Sequence, residues 1–131
     1  HVREGGAMPE VLNVALDGSL YQDLGNEDHW HTLHPVSLHP DSRVAAALGT
    51  SRPHACHSVH HQALKRVASA LDVVGHADDG TIEAVRWRGP SYVTAVQWHP
   101  EFHAGKSEPD LIDDAPLLAD FRAACRAAQT R

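Results

Sequence analysis

The sequence predicts an α/β fold, and three observations point to it. Short runs rich in β-branched and aromatic residues stop at turn residues, as in Tyr92 to Trp98. Two such runs flank Asp78-Asp79-Gly80, a strong hairpin signal. Helical stretches with start and stop signals stand between and after them, ending in an amphipathic segment over Ala115 to Ala128.

The elements follow in order. Pro9 to Leu16 reads as a short helix, with Pro9 in its first turn and Gly18 just past its end. Ser19 to Gln22 reads as a short strand, and the polar, His-rich stretch from Gly25 to His34 as a loop. His34 to His39 alternates Val36 and Leu38 with polar neighbours, a strand pattern. Ser42 is placed to cap a helix that runs through Leu48 and stops at Gly49. Ala55 to His60 is the next strand. Leu71 to His76 and Thr81 to Arg88 are the arms of the hairpin, and Tyr92 to Trp98 is the last strand. Gly105 to Asp114 is a polar surface loop. In the terminal helix Leu117, Leu118, Phe121, Ala124, Cys125 and Ala128 share one face, so Cys125 is expected in the core. No internal repeat or interdomain linker interrupts the chain.

Composition narrows the function classes. The chain has 131 residues, 42% hydrophobic and 21% charged, ordinary for one small globular domain. No apolar run is long enough to span a membrane, and no signal-peptide pattern is read. A formal net charge of −6 argues against nucleic-acid binding through a basic surface. Two cysteines in different contexts make no disulfide framework, which fits a reducing, cytoplasmic compartment. The 12 histidines lack metal-ligand spacing such as His-Glu-x-x-His, so no metal and no cofactor are expected.

The segment that carries chemistry is Val96-Gln97-Trp98-His99-Pro100-Glu101. Pro100 has no N–H and biases His99 toward extended backbone, so His99 ends the strand. Side chains alternate along extended chain, which allows His99 and Glu101 to share a side. A carboxylate at one ring nitrogen fixes the tautomer and leaves the other nitrogen free to take a proton from a thiol or hydroxyl. On spacing alone, a strand-end histidine beside a solvated glutamate is the simpler reading.

Further segments add weight. Gln97-Trp98-His99-Pro100-Glu101 resembles the histidine–glutamate motif of class I glutamine amidotransferases. Ser58-Val59-His60-His61-Gln62-Ala63 resembles a segment of their γ-glutamyl-γ-aminobutyrate hydrolase (peptidase C26) branch. Asn13 to Asp23 is similar to the same branch just after its nucleophile, and Asp79-Gly80-Thr81-Ile82-Glu83-Ala84 fits as well, all in the family's order. The resemblance implies the C-terminal part of a flavodoxin-like three-layer sandwich on a mixed, mostly parallel sheet. It implies a cysteine on a strand-to-helix elbow that attacks a γ-glutamyl amide, with His99 as base and then acid and Glu101 orienting it. Ser58, His60, His61 and Gln62 become candidate substrate-binding residues, and a small γ-glutamyl compound the expected ligand.

One departure is plain. Counting back from Asn13, the nucleophile falls at Gly6, within Glu4-Gly5-Gly6-Ala7-Met8, and no cysteine, serine or threonine stands there. The apolar strand expected to lead into the elbow is missing too. Residues 1–8 are therefore expected to lie outside the family, as an unrelated extension or an expression remnant, and residues 9–131 to form a truncated family domain. The family's fold needs about half again to twice this length. The chain alone is expected to be inactive, and to pair with another copy or a complementing N-terminal segment. A non-catalytic relative with a ligand pocket or a protein contact is the alternative, and a histidine-dependent metal binder a weaker third. Cys56 sits mid-strand rather than on an elbow, which favours a buried structural thiol over a substitute nucleophile.

Overall fold

The computed structural model describes residues 2–3, 6–7, 9–22, 24, 30–52, 56–59, 62–98 and 115–129. Strands β1 (Val2–Arg3) and β2 (Gly6–Ala7) precede helix α1 (Pro9–Ala15) and strand β3 (Leu20–Tyr21). Then come β4 (Trp30–His34), β5 (Val36–Leu38), α2 (Arg43–Leu48), β6 (Cys56–Val59) and β7 (Ala63–Leu64). The hairpin β8 (Leu71–Ala77) and β9 (Ile82–Trp87), strand β10 (Thr94–Val96) and helix α3 (Ala115–Gln129) complete the order.

The main sheet has the order β10-β9-β8-β5. Separate two-stranded ladders join β1 to β2, β3 to β7 and β4 to β6. All of these pairings are antiparallel, which differs from the mixed, mostly parallel sheet that the resemblance implied. Short connections explain much of this, because a parallel pair needs a long crossover that the turn between β8 and β9 leaves no room for. That turn is closed by Gly80 at φ 86, where glycine carries no side-chain penalty. Thr81 N–H donates to Asp79 Oδ1 at 2.9 Å and completes it.

Ala84 and Val85 are neighbours on β9 and point to opposite faces of the sheet. Each belongs to a different core. On one face Ala84 packs with Val36, Leu38, Val44, Ala45, Cys56, Val74 and Trp98, covered by Leu48 of α2 and Leu117 of α3. On the other, Val85 and Ala95 pack with Leu64, Ala68 and Leu71, covered by Leu12 and Leu16 at α1. Helix, sheet and helix therefore form three layers, the predicted class.

Local signals explain the helices. Ser42 caps α2, its Oγ accepting from Ala45 N–H at 3.2 Å. Gly49, at φ 73, ends the helix by donating to Ala45 O and Ala46 O. α1 stops at Ala15, sooner than expected: Asp17 takes the left-handed position at φ 79, and Gly18 N–H reaches Asn13 O at 2.7 Å. Two further expectations are corrected. Trp30 to His34 is a strand, because it pairs with β6 in the register Trp30↔Val59 to His34↔Cys56. Of the strand expected over Tyr92 to Trp98, only Thr94–Val96 is β10, and Gln97 and Trp98 bend away after a last ladder bond from Gln97 N–H to Glu83 O.

α3 docks through one narrow stripe, Leu117, Asp120, Phe121 and Ala124. Arg43 holds Asp120 in a two-pronged pair at 2.8 and 3.1 Å, and Tyr92 meets Phe121 at 5.8 Å between ring centroids. Cys125 lies one position beyond that stripe and is exposed, which overturns its expected core placement. Among the described residues no helix is long and apolar enough to cross a membrane.

Tyr92 gives this docking a pH signature. Burial pushes its phenol above the ordinary 10.0, since the anion would lose water, with the Thr94 hydrogen bond opposing and Asp120 adding to the shift. A group whose folded pKa is raised contributes stability below its unfolded pKa and loses it as pH rises through the folded value. Stability is therefore expected to fall from about pH 10 upward. Tyr92→Phe removes that slope; thermal melts from pH 8 to about pH 11 that show the same decline in both proteins contradict the account.

Candidate active site

The site assembles around the end of β10. Three contacts fix the chain just before His99. Gln97 N–H donates to Glu83 O at 2.7 Å. The Gln97 amide donates to Glu10 Oε1 at 2.6 Å and reaches Gln62 O at 3.4 Å. Trp98, 1% exposed, is sunk in the core on the other side of the sheet. Neighbouring side chains alternate, so Gln97 and Trp98 grip the strand end from opposite faces. His99 and Glu101 lie outside the described residues.

Glu10 belongs to the first turn of α1 and is 5% exposed. Its second oxygen, Oε2, has no hydrogen-bond partner among the described residues. Deeper in the same helix Asn13 is fully buried. Its Nδ2 donates to Ser19 O and Arg66 O, each at 3.0 Å, and its Oδ1 accepts from Ala68 N–H at 2.7 Å. That side chain ties α1 to the segments on either side of the β3–β7 ladder. Upstream, Gly6 lies in β2, which packs beside β10, and α1 begins at Pro9. A short strand thus does lead into the helix where the sequence offered no apolar strand. The position counted for the nucleophile lies on it.

Of the candidate substrate residues, Gln62 is brought to the strand end. Its carbonyl faces the Gln97 amide and its own amide donates to Gln22 Oε1 at 3.1 Å. Ser58 lies in β6 opposite Thr32, with its side chain outside the described residues. His60 and His61 are outside them altogether. Cys56 is fully buried among Val36, Val44 and Trp98. Burial in apolar surroundings disfavours the thiolate a nucleophile needs.

A histidine–carboxylate pair not expected from the sequence joins β4 to β9. His34 Nδ1 lies 2.9 Å from Pro35 O, which places its proton there because a carbonyl only accepts. His34 Nε2 is then turned toward Glu83 Oε1 at 3.6 Å. Glu83 is fully buried, on a strand whose alternation alone would have put a glutamate outside. Only its place in the Asp-Gly-Thr-Ile-Glu-Ala segment hinted at more. Elsewhere, a cleft lined by Ser42, Arg43, Arg86, Tyr92 and Thr94 opens beside α2, with its arginines held by Asp120 and Asp72. Among the described residues no three His, Cys, Asp or Glu side chains converge as a metal site would require.

Comparison with known proteins sets this geometry in context. The family model described as Peptidase C26 matches residues 9–101. A Mycobacterium tuberculosis protein named as a candidate glutamine amidotransferase is 41% identical over 111 residues, 78% of this chain and 34% of its own length. The γ-glutamyl-γ-aminobutyrate hydrolase PuuD of Escherichia coli is 29% identical over 118 residues, 90% of this chain and 43% of its own. The chain thus spans less than half the length of these curated relatives. A crystal structure from Thermoplasma acidophilum, of a candidate GMP synthase component, superposes with a TM-score of 0.71 at 11% identity. The match covers 93% of this chain and 55% of that one, and shows a shared fold.

Proposed function

The chain belongs to the peptidase C26 family, and on that premise we propose that it carries the base and the orienting carboxylate of a γ-glutamyl amide hydrolysis. His99 takes the proton of an attacking thiol and returns it to the leaving amine. The thiol displaces that amine and holds the glutamyl group as a thioester. His99 then draws a proton from water, which cleaves the thioester and frees glutamate. Glu101 holds the imidazole in the tautomer that does this. Gln62, beside Gln97, is assigned to the substrate side together with Ser58, His60 and His61. The substrate is a small γ-glutamyl compound in a cytoplasmic setting, and the reaction needs no cofactor.

The observation that carries the reading is the placement of Gly6. It lies on β2, beside β10, which ends three residues before His99 in the sequence, and α1 begins at Pro9. That is the connection a nucleophile elbow uses, without its thiol. A cysteine from another copy or another segment would complete the set. The same lack of a thiol supports a second reading, a non-catalytic relative that keeps only the ligand pocket.

Gly6→Cys separates the two. With a γ-glutamyl anilide, the variant is expected to release at least one equivalent of aniline as its thiol is acylated and the thioester then hydrolysed, and Gly6→Cys/His99→Asn to release none. An introduced thiol that alkylates readily with iodoacetamide yet is never acylated overturns the hydrolytic reading and leaves the binding one.

A further inference from the structure

We propose that Glu10 is a positioning residue for the His99 strand end, acting through the side chain of Gln97; the inference rests on the role given to His99 above. Glu10 is oddly placed for a structural residue. A first-turn glutamate gains from the helix dipole while remaining in water, and burying it forfeits that water. Glu10 is 5% exposed, and one of its two oxygens has no hydrogen-bond partner among the described residues. The docking of α1 does not need it, because Leu12 and Leu16 supply the apolar contact and Asn13 supplies the polar one.

What Glu10 does engage is Gln97, by a short hydrogen bond of 2.6 Å. Gln97 is itself 4% exposed and stands two residues before His99. Its backbone is bonded to Glu83 O, and Trp98 next to it is anchored in the opposite core. Beyond Val96 the regular strand has ended, and after the Gln97–Glu83 bond the sheet no longer dictates the path of the chain. The Glu10–Gln97 bond takes over that task and ties the strand end to the helix that follows Gly6. A base must be held within a fraction of an ångström of its proton, and supporting hydrogen bonds of this kind provide that hold.

The test reads His99 directly, by ring-proton NMR of the 131-residue chain, its signal assigned by its loss in His99→Asn. Glu10→Ala is expected to move the titration midpoint of His99 by about half a pH unit or more, roughly a threefold change in proton affinity. Gln97→Met, which keeps the bulk and deletes the donor, is expected to give the same shift. The double variant should then shift no further than either single one. Glu10→Gln retains an acceptor for the Gln97 amide and should restore the native midpoint. If Glu10→Ala does not fold, Glu10→Gln and Gln97→Met carry the test.

An unmoved His99 in the deletion variants overturns the proposal. So does a Glu10→Gln protein that behaves like the deletions, since charge rather than the bond would then matter. The outcome is independent of the acylation experiment. Acylation of the Gly6→Cys thiol with an unmoved His99 removes this inference alone, whereas failed acylation with a moved His99 removes the hydrolytic reading alone.

Discussion

Glutamate release from γ-glutamyl amides by the 131-residue chain is expected to stay at the buffer rate. In nucleophile–base systems the members act as a unit, and deleting the attacking group alone lowers the rate by roughly 10⁴- to 10⁶-fold. No cysteine, serine or threonine lies within Glu4 to Met8, where the attacking group should stand. Cys56 is the one thiol near the site's strands, and its surroundings argue against it. It is fully buried among aliphatic side chains and Trp98, and its backbone is locked to His34 in the β4–β6 ladder. To meet a substrate, that ladder would have to open. The measurement is coupled-enzyme detection of glutamate with the native chain and Cys56→Ala side by side. Release above background that disappears in Cys56→Ala would make the buried thiol the nucleophile and refute the expected inactivity.

How much of this was legible in the sequence depends on the kind of signal. Features encoded within a few residues were read well. Ser42 and Gly49 mark their helix ends because a cap needs only one side chain or one left-handed residue. Asp78-Asp79-Gly80 marks its turn for the same reason. Features set by distant partners were not. Trp30 to His34 looks like a polar loop until β6 arrives to pair with it. Cys125 falls on an apolar stripe, but the body touches α3 along a narrower line than the stripe offers. The polar residues show the limit most sharply. Glu10, Gln97 and Glu83 are buried, yet nothing in local periodicity distinguishes a buried glutamate from a solvated one. Gln97 and Glu83 stood inside recognised motifs, which pointed at the segment without stating what each side chain does. Glu10 stood in none, and only its 2.6 Å contact with Gln97 gives it a role.

Asn13→Ala is expected to destabilise the fold by about 3–5 kcal/mol, a large share of the roughly 5–15 kcal/mol that holds a domain of this size. The substitution orphans three backbone groups at once: Ser19 O, Arg66 O and Ala68 N–H. Each buried orphan costs about 1–3 kcal/mol, and relaxation keeps the sum below simple addition. The same site resists the opposite change. A Cβ at Gly18 would lie 2.1 Å from Asn13 Oδ1, so the amide occupies space that only glycine leaves open. The variant that discriminates is Asn13→Asp, which preserves shape almost atom for atom. It replaces the two-fold donor Nδ2 with an acceptor facing two carbonyl oxygens, and buries a charge. If hydrogen bonding is what Asn13 contributes, Asn13→Asp loses at least as much stability near pH 7 as Asn13→Ala. Urea unfolding followed by circular dichroism gives both values. An aspartate variant that unfolds at the native urea midpoint would mean that the pocket selects for volume. The link through Asn13 between α1 and the segments beside β3 and β7 would then have to be sought in the apolar contacts of Leu12 and Leu16.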